Sequence, residues 1–303
     1  MVTNDVEPFV AVNDARVLDL FFAAVPGNVT INALVSYYYL SGQETILRKW
    51  KERGRIRRLL LDSGAYSAFK SGKSVDIQQY KGCSDLDVRP EGGLFDDWFN
   101  LDDSARDYRH NQRNQAILEA DWEARGVTRP IPVVHDPEDP VGEFEQYVCE
   151  GHDYIALGSD PRLKRDALWA IYEVILRHSP RPIRVHLFGE INVGLLREFR
   201  FDSADSATFQ HKPRFGCIRY WDTAAQQQVK IWTEGREYNN TGTETLSQWH
   251  GKDRFLGFLR ETFADEHGPY EWYRVVADIR KQWVVGIYFY YALEQYLNST
   301  AGR

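Results

Sequence analysis

Short apolar runs recur along this chain, and most of them stop abruptly at an acid, a glycine or a histidine. Eight such runs read as buried strands: 30–38, 58–62, 94–102, 131–135, 154–158, 183–188, 199–205 and 215–221. Continuous apolar runs of this length suit strands covered on both faces. Helical patterns fall between them. Over 163–178, Leu168, Ile171, Tyr172 and Ile175 lie on one face at i, i+3, i+4 and i+7. The stretch 104–125 is polar with a narrow apolar stripe, and Gly126 closes it as a C′ glycine. Strand and helix alternating in this way predict a parallel α/β fold. Eight repeats in about 200 residues fit a (β/α)8 TIM-like barrel, with a doubly wound open sheet as the alternative. After Trp221 the pattern changes. Residues 223–251 are polar and read as a loop or hairpin. Residues 255–297 read as mainly helical, with Trp272, Val275, Val276 and Ile279 on one face and the later aromatic run against the barrel wall. The first 25 residues carry no clear assignment. The expectation is one domain over 1–303, with the barrel at about 30–222 and a C-terminal extension at about 223–303.

The ends of the runs carry the chemistry. They read Asp62-Ser63-Gly64, Asp102-Asp103-Ser104, His135-Asp136-Pro137, Gly158-Ser159-Asp160, His186-Leu187-Phe188-Gly189-Glu190 and Asp202-Ser203-Ala204-Asp205-Ser206. In a barrel all of these meet at the C-terminal mouth. Glycine there lets a flat ligand approach backbone, and crowded carboxylates raise one another's pKa. That suits acid–base work, or recognition of a cationic or amide-rich ligand. Each residue has an ordinary reading too. Asp103 suits a helix cap and Asp136 a turn. His186, inside its strand, is expected to point outward to a helix. His135 faces the mouth or the wall with equal weight. Asp202 and Asp205 compete for the inward position.

Composition narrows the class. A chain of 303 residues with 43% hydrophobic positions can bury a full core. A net charge of -7 argues against a nucleic-acid coat protein but leaves room for an enzyme with one basic face. Three scattered cysteines, Cys83, Cys149 and Cys217, make no disulfide framework and fit a reducing compartment. No leader opens the sequence, and the longest apolar stretch, 283–293, is too short to span a bilayer. The expectation is a cytoplasmic protein with no membrane contact. No zinc-finger spacing, P-loop or dinucleotide fingerprint appears, so no metal and no cofactor is expected.

Read together, the motifs resemble the tRNA-guanine transglycosylase superfamily. The nearest likeness is to its phage and bacterial DNA-modifying branch of DpdA type, which places 7-deazaguanines such as 7-cyano-7-deazaguanine into DNA. Asp62-Ser63-Gly64-Ala65-Tyr66 resembles the Asp-Ser-Gly-Gly-Phe base-pocket motif. Phe99-Asn100-Leu101-Asp102 is similar to the next strand end. Ile131-Pro132-Val133-Val134-His135 and Tyr154-Ile155-Ala156-Leu157-Gly158 resemble the two pocket strands that follow. Ser203-Ala204-Asp205-Ser206-Ala207-Thr208-Phe209 resembles the Ser-Val-Asp-Ser-x-x-Trp segment that holds the nucleophile. The likeness covers roughly residues 30–220 as ordered short motifs.

What the resemblance implies is base exchange. Asp205 would be the nucleophile on the sugar C1′, and Asp62 would move the proton of the leaving and incoming bases. Asp102 would accept from the guanine-like edge. Ser63, Gly64 and His135 would complete the base site, Gly158 would offer backbone groups, and Tyr66 an aromatic face. Lys212 and Arg214, just past the nucleophile, would contact phosphate. The partners implied are DNA or tRNA, a 7-deazaguanine base, and a second copy in a homodimer. The basic run 48–58 precedes a strand and belongs at the barrel floor.

This sequence departs from the family in three places. The three-cysteine, one-histidine zinc site of the tRNA enzymes has no counterpart here, Ala65 replaces the second glycine, and Phe209 replaces the Trp. Three readings stay open: a DNA 7-deazaguanine transglycosylase, a transglycosylase or glycosidase acting on tRNA or a free nucleoside or nucleotide, and a non-catalytic barrel that binds a base or a partner.

Overall fold

The computed structural model describes residues 5–82, 88, 93–102, 108–120, 122–136, 138–158, 165–189, 191–199, 201–233, 246–247 and 249–300. The first barrel strand, β1 (Glu7–Val12), lies in the opening stretch that the apolar pattern left unassigned. There follow α1 (Arg16–Ala24), β2 (Ile31–Ser36), α2 (Tyr37–Leu40), α3 (Glu44–Glu52), β3 (Ile56–Asp62), α4 (Ala65–Lys70), α5 (Ile77–Lys81) and β4 (Asp97–Trp98). The second half runs α6 (Tyr108–Glu119), α7 (Trp122–Arg125), β5 (Val133–Val134), α8 (Pro140–Cys149), β6 (Tyr154–Leu157), α9 (Arg165–Arg177), β7 (Arg184–Leu187), α10 (Val193–Phe199) and β8 (Ser203–Ser206).

The eight strands are parallel, in the order β4-β3-β2-β1-β8-β7-β6-β5. The two edges also meet. Asn100 N–H donates to the Ile131 carbonyl at 2.8 Å, and Ile131 N–H donates to the Trp98 carbonyl at 2.8 Å. This parallel bridge between Phe99 and Ile131 closes the sheet into the expected α/β barrel.

The expected frame is off by one strand. The barrel strands run from Glu7 to Ser206, not over 30–222. The eighth expected run, 215–221, leaves the barrel as β9 (Cys217–Asp222) and pairs antiparallel with β10 (Gln227–Trp232). An apolar run signals burial and not the partner strand, so eight runs fill a barrel from either starting point. The remaining elements are α11 (Thr208–His211), a 3-10 turn at Lys212–Phe215, α12 (Lys252–Thr262), β11 (Ala264–Asp265), β12 (Gly268–Pro269), α13 (Trp272–Ala277) and α14 (Ile279–Ser299).

Helix α14 takes the place of the eighth wall helix, packing on β1, α1 and β9. The single apolar face expected across Trp272 to Ile279 is interrupted. Asp278 ends α13 and caps α14 by accepting from Arg280 N–H, leaving Val275 buried and Ile279 exposed. The helix expected over 104–125 is likewise two, and Gly126 closes the second at φ +64°. Among the described residues no helix is long and apolar enough to cross a membrane.

Inside the barrel, Phe9, Leu34, Leu60, Phe99, Val133 and Ala156 belong to a core of their own, separate from the helix-facing core. Below it, Arg58 forms ion pairs with Glu7 and Asp97, and the Arg184 guanidinium lies 4.3 Å from the Tyr154 ring centre. These charges plug the N-terminal end. Part of the basic run at 48–58 is ion-paired within the chain: Lys49 with Asp19, Lys51 with Asp96 and Arg57 with Glu294.

Candidate functional site

Strand alternation decides which polar side chains enter the mouth. In β8, Ser203 and Asp205 share the inward face and are buried. Asp202 serves another purpose, accepting Val185 N–H at 2.9 Å. Register therefore separates the two aspartates that spacing left in competition. In β7 the inward residue is His186, contrary to expectation. It is fully buried and packs between Phe9, Phe99 and Phe188.

A directional hydrogen-bond chain joins these residues. The Tyr154 hydroxyl meets Ser203 Oγ at 2.7 Å, Ser203 Oγ meets His186 Nδ1 at 2.8 Å, and His186 Nε2 meets Asp205 Oδ1 at 3.2 Å. Burial pushes the Tyr154 phenol up to about 12, so it keeps its proton at neutral pH. With each hydroxyl donating once, Nδ1 accepts and Nε2–H donates to the carboxylate; the network itself assigns this tautomer. Gly189 N–H also donates to Asp205 Oδ1, at 2.9 Å. Two donors thus fix one carboxylate oxygen. Oδ2 makes no hydrogen bond among the described residues and is left as the free atom.

Across the mouth, Asp62 ends β3 and accepts Gly64 N–H at 3.0 Å. Burial first, then the charges of Asp102 and Asp205, push its carboxyl well above the usual carboxylate range. The backbone N–H groups of Gly64 and Ser63 oppose that rise without cancelling it. Asp102 is held on both oxygens. Ser63 Oγ–H donates to Oδ1 at 2.9 Å and His135 Nε2 meets Oδ2 at 2.9 Å. His135 is set in turn by Glu143, whose Oε2 accepts the N–H groups of His135 and Asp136 at 2.7 and 2.6 Å. Three carboxyls from β3, the β4 end and β8 therefore converge on one slot, one of them biased toward its neutral form.

The two glycines have steric roles. Gly64 sits at φ +75°, and a Cβ there would lie 2.0 Å from Ser36 Oγ and 2.6 Å from Tyr38 Cβ. Gly64→Ala is expected to cost about 2–4 kcal/mol from left-handed backbone and overlap together, read as a fall in the urea midpoint with unchanged slope. Gly158 differs from the expected backbone donor. Its N–H already bonds the Val134 carbonyl at 3.3 Å, and a Cβ there would meet His135 Cε1 at 2.7 Å. It makes room for the histidine ring.

Tyr66 does not join the cluster. It is 57% exposed on α4, with Lys70 Nζ 4.4 Å from its ring centre. An aromatic side chain on the inward face of the barrel is Phe188. It is half-buried, shares the inward face with His186, and lies 4.6 Å from Phe99, ring centre to ring centre. Strand period alone, carried two residues past His186, would have found it. Lys212 and Arg214 stand exposed on the 3-10 turn that follows α11. Asp103, Ser104, Pro137, Ser159, Asp160, Glu190 and Cys83 lie outside the described residues. Cys149 and Cys217 are free thiols, and no group among the described residues is arranged to hold a metal ion.

Beside the slot, a cleft of about 480 Å3 opens between the loops after β2 and β3, lined by Tyr37, Tyr38, Glu44, Val75, Asp76 and Gln79 among others. Its carboxylates include Asp76, which is spent capping α5. The convergent acids lie on the other side of Gly64.

No family model and no curated protein matches this chain. Among solved structures, a proposed fructose-1,6-biphosphate aldolase from Coccidioides immitis is similar at a TM-score of 0.49 and 20% identity, over 69% of this chain and 76% of that one. A likeness of that extent carries no argument about chemistry, and the barrel assignment rests on strand order and closure.

Proposed function

We propose that this chain is a base-exchange transglycosylase that replaces guanine in DNA with a 7-deazaguanine through a covalent aspartyl-glycosyl intermediate. The observation that carries the reading is Asp62, a carboxyl held toward its neutral form between two other aspartates at one slot. Asp205 Oδ2 attacks C1′ of the target nucleotide as the bond from C1′ to the base nitrogen breaks. Asp62 gives its proton to the departing guanine. The incoming 7-deazaguanine returns a proton to Asp62 as its ring nitrogen attacks C1′, and the ester to Asp205 breaks. Two inversions give net retention, and Asp62 ends as it began.

Asp102 supports recognition in this scheme. Each of its oxygens keeps a lone pair for the ring N–H and exocyclic amine of a guanine-like edge, while Ser63 and His135 hold its plane. Phe188 takes the stacking role expected of Tyr66. Phe188→Ala should raise KM for the base by about 10-fold, with kcat changed less, in steady-state exchange of labelled guanine. The target nucleotide has to leave its stack to reach the slot.

The same chemistry on tRNA or a free nucleotide is the second reading, favoured by the net charge of -7, since a small substrate needs no basic track. A silent binding barrel is disfavoured: three carboxyls forced together cost stability, and base binding alone needs only one of them. The discriminating experiment is mass spectrometry of nucleosides from DNA and tRNA of cells expressing the chain with a deazaguanine supply. Mass-shifted deoxyguanosine supports the reading. A modified ribonucleoside alone moves the substrate to RNA, and no exchange in any pool contradicts it.

A further inference from the structure

A polar line runs through the otherwise apolar interior of the barrel. Tyr154, Ser203, His186 and Asp205 follow one another in hydrogen-bond contact, at 2.7, 2.8 and 3.2 Å. The same interior is built of Phe9, Phe99, Val133 and Ala156. Ala156 stands beside His186 in register, so the neighbouring strand offers the imidazole only a methyl group. Packing alone does not call for a histidine here. A phenyl ring among Phe9, Phe99 and Phe188 would leave no polar group to satisfy.

The line has one direction. The Tyr154 phenol keeps its proton and has Ser203 Oγ as its hydrogen-bond partner. If Ser203 donated toward Tyr154 instead, the phenol proton would have no acceptor among the described residues, and Nδ1 would carry the hydrogen toward Ser203. A neutral imidazole would then set its Nε2 lone pair against the Asp205 carboxylate. Donation from Tyr154 to Ser203, and from Ser203 to Nδ1, avoids both costs and leaves Nε2–H on Oδ1. At the far end the Arg184 and Arg58 guanidinium groups lie 4.3 and 6.0 Å from the Tyr154 ring centre. The line therefore starts at the charged floor and ends on the carboxylate at the mouth.

We propose that Tyr154, Ser203 and His186 are positioning residues for breakdown of the glycosyl ester: they hold an N–H on Asp205 Oδ1 that, with Gly189 N–H, receives the charge returning to the carboxylate. This rests on the transglycosylase reading and assigns to its second half-step a device that the reading does not itself require. In the ester, Oδ2 is bonded to C1′ and Oδ1 is the carbonyl oxygen. As the incoming base nitrogen bonds C1′, the C1′–Oδ2 bond breaks, its electron pair returns to the carboxyl group, and the base proton goes to Asp62. The returning charge is shared with Oδ1, where two N–H donors already point. The same donors make the free carboxylate a weaker nucleophile, so they favour breakdown over formation. Losing them slows breakdown and spares formation, whereas a carboxylate merely misplaced slows both.

The test has one arm without substrate and one with it. Ring nitrogen NMR of histidine-labelled protein, with His186 assigned by its loss in His186→Gln, reads which nitrogen carries the hydrogen. Trapped adduct of oligonucleotide minus guanine, and its discharge by added base, read the two half-steps in the parent, Ser203→Ala and Tyr154→Phe. The parent should show Nε2–H alone, and both variants a mixed signal. Discharge should slow by about 10–100-fold in Ser203→Ala, with more adduct at steady state and formation changed by less than about 3-fold. His186→Gln, whose amide N–H can reach the Nε2 position, should retain more discharge than His186→Phe. If Ser203→Ala fails to fold, Tyr154→Phe, which removes a single oxygen, decides. Nδ1–H in the parent, unchanged discharge in both variants, or both half-steps slowed alike overturns the proposal. A parent that shows Nε2–H yet forms no adduct and exchanges no base would instead remove the transglycosylase reading, and the ester role with it.

Discussion

Asp205→Asn is expected to lower the proposed base exchange by about 10⁴-fold or more while the protein folds and binds the base as before. The asparagine oxygen can occupy the Oδ1 position and accept from His186 Nε2–H and Gly189 N–H. Its amide nitrogen then replaces Oδ2, the one atom with a lone pair free for C1′. Geometry survives and nucleophilicity does not, so the loss falls on kcat and not on base affinity. Single-turnover exchange of labelled guanine, with base binding measured alongside, checks both halves. Exchange within about 10-fold of the parent would remove Asp205 as nucleophile.

Asp62→Asn has the second-largest expected effect, and its signature is a pH dependence. A buried acid with a raised native pKa contributes its full stability below the ordinary aspartate range, where it is neutral both folded and unfolded. That contribution is lost as pH rises from the ordinary value through the raised native one, because only the unfolded chain ionises freely. Asparagine is neutral throughout. The variant should therefore melt with the parent at acid pH and above it at neutral and alkaline pH. Its kcat/KM should fall by about 10²–10⁴-fold, and the parent's decline with rising pH through the Asp62 titration should vanish. Melting curves and pH–rate profiles of the two proteins read this directly. A variant less stable than the parent at alkaline pH would contradict the electrostatic account of the slot.

The sequence discloses the barrel and most of its mouth because both rest on short-range rules. Leu59-Leu60-Leu61 followed by Asp62 announces a buried strand with a polar end, and the barrel fold brings such ends together. What stays hidden is set by long-range choices. Glu7–Val12 is as apolar as Cys217–Asp222, and only pairing shows that β1 sits between β2 and β8 while β9 forms a hairpin outside. His186 is invisible as a site residue for a related reason. A histidine inside a strand carries no sign of its face until Ser203 and Asp205 are found on the neighbouring strand at hydrogen-bond distance. Tyr66 shows the opposite error. Motif position placed it at the base, whereas α4 turns it to solvent and the strand period of β7 turns Phe188 inward.

The account turns on Asp205 Oδ2 holding the sugar during exchange. Its most direct test is to quench the reaction with a guanine-containing oligonucleotide under denaturing conditions and to weigh the intact protein. An adduct of oligonucleotide minus guanine, mapped to the peptide bearing Asp205 and absent from Asp205→Asn, is the expected result. Base exchange proceeding with no such adduct, or an adduct that persists in Asp205→Asn, would contradict it.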